Sequence, residues 1–240
     1  MKQFVKRVAA SRGIHIFTDD SLPTGVNWLL DIRRSGLLSA RPLCLDVGAN
    51  VGQTVIELRA ALPGSCIHAF EPFNQPYAEL AALCGQLPEA TAVKLALGAA
   101  PGSIEAVAHE TSVLSSLAHA LTAVASVPRQ LIQIDNVDAY CTRQHIGTID
   151  ILKTDTEGYD LEVLQGAAAR LRAKQVRFVY VEVSFLQGNT QNTPFQPLFA
   201  YLSDHGYRFL GLYETYPLHH FKEPNLFCNA LFSCRQLHEQ

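Results

Sequence analysis

Asp46-Val-Gly48-Ala49-Asn50-Val-Gly52 sets a carboxylate two residues ahead of a pair of glycines. The apolar run Leu43 to Leu45 leads into it, and Thr54 to Ala61 follow with helical character. Glycine at a strand-to-helix turn takes backbone angles closed to other residues, and it lets a ligand approach main-chain amides at the positive helix end. A turn built for a pyrophosphate would read GxGxxG. Here only GxxxG stands, and a carboxylate as close as Asp46 would repel a pyrophosphate. The pattern suits a ligand with hydroxyls and a cationic amino group. The plainer alternative is a turn whose glycines serve strand–helix packing alone.

Glu71 supplies a second feature. It lies at the end of the next apolar run, roughly twenty residues past Gly52, where a carboxylate accepts from both hydroxyls of a ribose. Pro72 and Phe73 beside it offer an apolar wall for an adenine, although Phe73 also suits a core. S-adenosylmethionine combines an ammonium group, a ribose and a sulfonium, and so answers Asp46 and Glu71 together.

The third feature is Ile151-Leu-Lys153-Thr154-Asp155-Thr156-Glu157-Gly158. Lys153, Asp155 and Glu157 alternate, so they share a face for as long as the strand lasts. Charges crowded at the end of an apolar strand need partners or a task. Asp155 suits a general base on a hydroxyl, and equally a group that orients the methyl donor or helps hold a metal. Glu157 has a duller option, favouring the dipole of the following helix. Glu182, at the end of a fifth strand, is a candidate for binding the acceptor. Ser115 and Ser116 lie in a loop-rich stretch flanked by His109 and His119, where hydroxyls usually form turns or meet water.

These residues require a frame. The apolar runs Leu43–Val47, Ser65–Phe70, Ala92–Leu97, Ile149–Lys153 and Gln175–Val183 read as strands. Ser103–Ala108 reads as an extra edge strand, and Tyr207–Tyr213 with Leu226–Phe232 as a final antiparallel pair. Helices are expected over 76–83, 160–173 and 194–204, with Gly206 closing the last. Strands alternating with helices predict an α/β fold with a mostly parallel sheet covered on both faces. Ligands bind such sheets at the carboxyl ends of the strands, where Asp46, Glu71, Gly98 and Asp155 all fall. Residues 1–40 are expected to form a helical extension, with Val26, Leu29, Leu30 and Ile32 as one apolar face, ahead of a domain over 41–240.

With 240 residues, 48% of them hydrophobic, the chain can build a large core. Its net charge of −3 lacks the basic footprint of a nucleic-acid binder. No apolar run reaches the roughly 18–20 residues of a membrane span, and the N-terminus lacks the apolar centre of a signal peptide. The six cysteines form no CxxC pair and read as reduced thiols. Together these predict a cytoplasmic protein without nucleic-acid or membrane partners.

Leu-Asp-Val-Gly-Ala-Asn-Val-Gly-Gln at 45–53, Phe-Glu-Pro-Phe at 70–73, Lys-Thr-Asp-Thr-Glu-Gly at 153–158 and Leu-Glu-Val-Leu-Gln-Gly-Ala at 161–167 resemble the FkbM family of S-adenosylmethionine-dependent methyltransferases. The third motif discriminates, because the first two occur widely among methyltransferases of this fold. Thr154 and Thr156 depart mildly from the family pattern, which has apolar residues at both places. The resemblance implies a Rossmann-like sheet of order 3-2-1-4-5-7-6 and methyl transfer, typically to a hydroxyl of a sugar or secondary metabolite. It implies cofactor contacts from Asp46, Gly48, Asn50, Gly52 and Glu71, to which Ala49, Pro72, Asp155 and Ser116 are added as neighbours. Lys153, Asp155 and Glu157 then lie at the reaction edge. S-adenosyl-L-homocysteine is the expected product, and the expected acceptor is a small molecule or glycan. A divalent cation held by Asp155, Glu157 and Glu182 stays open as an aid to the base. Two rivals remain at this point: a nicotinamide-dependent oxidoreductase, and a non-catalytic module that keeps the cofactor fold.

Overall fold

Two apolar faces along a run of parallel strands organise the molecule. In the computed structural model, which describes residues 7, 9–107, 129–186, 192–215 and 227–234, the large sheet contains β1 (Leu43–Val47), β2 (Cys66–Phe70), β3 (Ala90–Val93), β7 (Ile149–Thr154), β8 (Val176–Ser184), β9 (Tyr207–Tyr213) and β10 (Phe227–Cys234). Its order is β3-β2-β1-β7-β8-β10-β9. Counted within this sheet, that is the expected 3-2-1-4-5-7-6. Only β10 runs antiparallel to its neighbours β8 and β9. All six residues of β7 are buried, as a central parallel strand covered on both faces requires.

Helices α1 (Trp28–Arg34), α2 (Gln53–Ala61) and α3 (Asn74–Cys84) cover one face, where Trp28, Leu58 and Leu80 pack on Cys44, Ile151 and Tyr180. Helices α4 (Val137–Arg143), α5 (Asp160–Gln165), α6 (Ala168–Arg172) and α7 (Phe195–Asp204) cover the other, around Leu45, Leu152 and Val179. The Asn27 side chain caps α1 by accepting from the Leu30 N–H at 2.9 Å. Trp28 stacks on Tyr180 with ring centroids 4.1 Å apart. Asp31 accepts from the Tyr213 hydroxyl at 3.0 Å, which ties α1 to the end of β9. Leu29 and Ile32 are buried as expected, but Val26 stays 60% exposed and does not join that face.

Three expectations are corrected. The run 92–97 is two strands, because the chain turns at Lys94–Leu95. There β3 ends and β4 (Ala96–Leu97) enters a separate sheet of order β4-β6-β5, with β5 (Gly102–Val107) and β6 (Arg129–Asp135). Gly98 therefore follows a strand of the small sheet, not of the large one. The helix 160–173 breaks into α5 and α6 at Gly166, where a Cβ would lie 2.0 Å from the carbonyl oxygen of Gly98. The backbones of the two sheets' connections touch there, and only glycine fits. The small sheet packs Ala96, Ala106 and Ile132 on Phe73, so Phe73 is core. Gln130 of β6 grips the adjoining turn, accepting from the Asn74 N–H at 2.9 Å and donating to the Pro72 carbonyl at 2.8 Å. Ser115, Ser116, His109 and His119 lie outside the described residues.

Candidate active site

Register places the charged residues. Asp46 of β1 is opposite Lys153 of β7, and Lys153 is opposite Tyr180 of β8. The three make one row across the sheet, on the face covered by α1 and α2. Oδ1 of Asp46 stands 3.2 Å from Nζ of Lys153, and Nζ stands 3.4 Å from Oδ2 of Asp155. Asp46 is 0% exposed. Burial pushes its carboxyl up and the Lys153 ammonium pulls it down. Burial works against the Lys153 charge, but the carboxylates of Asp46 and Asp155 outweigh it and raise the group well above the usual lysine range. Oδ2 of Asp46 meets no donor among the described residues, and neither does the buried Oδ1 of Asn50. Buried acceptors without donors fit a ligand that brings an ammonium and hydroxyls.

The glycine turn is tighter than its spacing conveys. Gly48 has φ +79° and Gly52 φ +98°, both left-handed. A Cβ at Gly48 would lie 1.9 Å from the carbonyl oxygen of Asp155, and one at Gly52 2.5 Å from the Leu83 side chain. The amides of Gly48 and Ala49 both donate to the Phe70 carbonyl, at 3.1 and 2.9 Å. Local backbone geometry thus demands both glycines, Gly48 through the Asp155 carbonyl and both through their left-handed angles, as the plainer reading has it.

Glu71 bridges the turns after β1 and β2. Its two oxygens accept from the Asn50 N–H at 3.1 Å and the Phe73 N–H at 2.9 Å. Burial nevertheless pushes its carboxyl up to about 7. Each oxygen has a second lone pair for a ligand hydroxyl.

Asp155 lies just past the end of β7, with its side chain 40% exposed. Glu157 does not continue the alternation, since its φ of +54° turns the chain away. Burial first, then the charges of Asp155 and Asp160, push Glu157 up to about 7. Glu182, two residues short of the end of β8, is pushed up to about 8 by burial and then by Asp155, against a 2.7 Å hydrogen bond from the Asn192 side chain. Asp160, fully buried, accepts from the Thr156 N–H at 3.1 Å and the Thr193 hydroxyl at 2.9 Å. The Thr193 carbonyl in turn accepts from the Ser184 N–H at 2.8 Å. Asp160 thereby joins the 153–158 motif to the segment entering α7. It was missed as a site element because an acid at a helix start reads as a dipole partner. Among the described residues no three His, Cys, Asp or Glu side chains stand close enough to hold a metal ion. Asp155, Glu157 and Glu182 do not fit the divalent-cation alternative.

Burial makes Glu157, Asp160 and Glu182 costly to ionise, and the sign is testable. The Glu182 pKa rises above its ordinary 4.5 on folding. Its protonated form therefore favours the folded state below about pH 4.5, and that contribution is lost as pH rises through about 8. Glu182→Gln is expected to add about 1–2 kcal/mol at high pH, after discounting for partial exposure, and almost nothing in mild acid. Urea unfolding at both pH values checks this, and an equal gain at both rejects it.

The FkbM methyltransferase domain model matches residues 46–209. No curated protein matches the chain in sequence. Among solved structures, the chain is similar to M. capricolum TrmK in complex with S-adenosyl-homocysteine at 10% identity and TM-score 0.47, covering 88% of this chain and 70% of that one. It is similar to a precorrin-6y C5,15-methyltransferase from Geobacter metallireducens at 13% identity and TM-score 0.47, covering 89% and 93%. Aeropyrum pernix fibrillarin with bound S-adenosyl-L-methionine aligns at 10% identity and TM-score 0.48, covering 82% and 67%. The family match spans the Asp46 turn, Glu71 and the whole 153–158 motif, and it separates methyl transfer from hydride transfer: the chain belongs to the FkbM methyltransferase family, whose cofactor is S-adenosyl-L-methionine.

Proposed function

We propose that the protein methylates a hydroxyl oxygen of a small molecule, a sugar or a secondary metabolite, with Asp155 as the base. The observation that carries this is the place of Asp155, just past the end of β7 and 3.4 Å from the Lys153 ammonium, where its charge reaches both Glu157 and Glu182. A hydroxyl needs a proton acceptor once its oxygen bonds to the methyl group, and a carboxylate at that edge supplies one. The cofactor brings an electrophilic methyl group, so alignment is the main remaining task. In this reading Asp46, Gly48, Ala49, Asn50, Gly52, Glu71 and Pro72 shape its cradle. Oδ2 of Asp46 takes its ammonium while Lys153 holds Oδ1, and the Glu71 carboxylate takes its ribose hydroxyls. Lys153 also holds Asp155 toward the acceptor, and Glu157 lines the same edge.

At the edge of Asp155, Glu157 and Glu182, Lys153 is already paired with Asp46 and Asp155, so the edge offers a phosphate backbone no counter-charge among the described residues. It favours a small acceptor over a nucleic acid. Among the described residues no helix is long and apolar enough to cross a membrane.

The test is a methylation screen over sugars, glycosides and polyketide or peptide alcohols, read by mass and by release of S-adenosylhomocysteine. Asp155→Asn is expected to lower turnover about 10²–10⁴-fold while calorimetry shows S-adenosylhomocysteine binding kept within about threefold. Full activity in that variant removes Asp155 as base. Methylation of RNA with none of these alcohols removes the acceptor class.

A further inference from the structure

The peptide between Asp155 and Thr156 is held from both sides. Its carbonyl oxygen faces Gly48, where a Cβ would lie 1.9 Å away. Its N–H points the other way, as in any trans peptide, and donates to Oδ1 of Asp160 at 3.1 Å. One residue earlier, the Asp155 N–H donates to the Val47 carbonyl at 3.0 Å. The backbone of Asp155 is therefore fixed on its leading side by β1 and on its trailing side by Asp160 and the glycine turn. Backbone sets the direction in which a side chain leaves the chain. These contacts aim the Asp155 carboxylate before Lys153 holds it.

Asp160 is itself locked by a third segment. It is the first residue of α5 and wholly buried. The Thr193 hydroxyl donates to its Oδ2 at 2.9 Å, and the same hydroxyl oxygen accepts from the Asp160 N–H at 3.2 Å. That N–H is one the helix cannot pair internally. Thr193 is buried too, and its backbone is pinned to the end of β8. Its carbonyl accepts from the Ser184 N–H at 2.8 Å, and Pro194 forms a bridge with Ser184. A buried carboxylate with a donor on each oxygen makes a rigid joint. Thr154 and Thr156 stand where the family resemblance has apolar residues, and their hydroxyl oxygens are buried outside regular hydrogen-bond geometry. Burial, then the charge of Asp155, push Asp160 up to about 6, against the hydroxyls of Thr154, Thr193 and Thr156.

We propose that Asp160 is a positioning residue for methyl transfer: it fixes the Asp155–Thr156 peptide so that the Asp155 carboxylate meets the acceptor hydroxyl, and Thr193 locks it from the segment entering α7. The proposal rests on the methyl-transfer reading with Asp155 as base. Asp160 touches neither cofactor nor acceptor in it and acts through Asp155 alone. The neighbour of Thr193, Asn192, donates to Glu182 at 2.7 Å. The segment that sets Asp155 through Thr193 thus sets Glu182 through Asn192, and one short stretch of chain holds both acids of the edge.

Two measurements test it, and the first needs no acceptor. Amide hydrogen exchange is followed by NMR on protein saturated with S-adenosylhomocysteine. Asp160→Ala and Thr193→Val are each expected to speed exchange at Thr156 about tenfold or more, while Thr193→Ser keeps it near the unaltered rate. Unchanged exchange at Thr156 in both of the first two variants overturns the proposal. The second measurement is turnover on whichever sugar, glycoside, polyketide alcohol or peptide alcohol of the screen is methylated fastest. Asp160→Ala is expected to lower kcat about 10–100-fold, with KM for that alcohol and S-adenosylhomocysteine affinity kept within about threefold. Thr193→Val lowers kcat several-fold and Thr193→Ser restores it. Thr193→Val nearly keeps the side-chain shape, so both measurements stand on it if Asp160→Ala fails to fold. In an Asp155→Asn background, either substitution costs less than about threefold, since no base is left to aim. Losses that multiply with Asp155→Asn, an unchanged kcat, or a loss confined to KM are the marks of a residue that only supports the fold. Each would overturn the proposal and leave methyl transfer intact. Full turnover in Asp155→Asn alone, or failure of the unaltered protein to bind S-adenosylhomocysteine, would instead overturn the reading beneath it.

Discussion

Lys153→Met is expected to cost about 3–5 kcal/mol of stability, because it leaves Asp46 as a buried carboxylate with no counter-charge. The pair is 3.2 Å apart, and Asp46 is fully enclosed. No described side chain stands ready to replace the ammonium, since Oδ2 already lacks a donor. Asp46 then takes up a proton at a higher pH than before, so part of the loss is recovered in mild acid. The double variant Asp46→Asn with Lys153→Met is expected to regain most of the stability, as replacement of a whole buried pair usually does. Urea unfolding of the two variants at neutral and acid pH gives the coupling directly. A loss under about 1 kcal/mol in the single variant would mean that the pair does not hold the sheet edge together. Cofactor binding follows a different course: the double variant stays weak, because Asp46 is also the acceptor for the cofactor's ammonium in the proposed cradle.

Gly48→Ala is expected to be nearly as severe, about 2–5 kcal/mol from a left-handed backbone at a residue with a side chain together with overpacking. The obstruction is the Asp155 carbonyl, 1.9 Å from the new Cβ, and backbone cannot rotate aside as a side chain can. The substitution therefore moves the proposed base as well as the cofactor turn. Turnover is expected to fall at least about 100-fold, as a displacement of about 1 Å at the reacting centre does, with S-adenosylhomocysteine affinity reduced alongside. Normal turnover with a shifted unfolding midpoint would show that the turn and Asp155 move independently.

Asp46, Glu71 and Asp155 were legible because each closes an apolar run, and strand ends are where open sheets expose their chemistry. The pairing of Asp46 with Lys153 was not, since it depends on β1 and β7 lying side by side despite the long stretch of chain between them. Only the strand order, expected from the family resemblance, brings them together. The small sheet was only half legible. Leu131 of β6 is 61% exposed and Ile132 almost wholly buried, so its alternation blends into the polar residues around it. The break at Gly166 depends on the carbonyl of Gly98, a contact between backbones that side-chain periodicity does not encode.

The stack of Trp28 on Tyr180 has a practical consequence. Trp28 is the chain's one tryptophan, and it leans on the strand position beside Lys153. The protein thus carries an intrinsic fluorophore at the junction of α1 and the sheet, free of background from any second indole. Occupancy, opening of the N-terminal helix and loss of the ion pair all alter the surroundings of that one emitter, and its light reads them without a label.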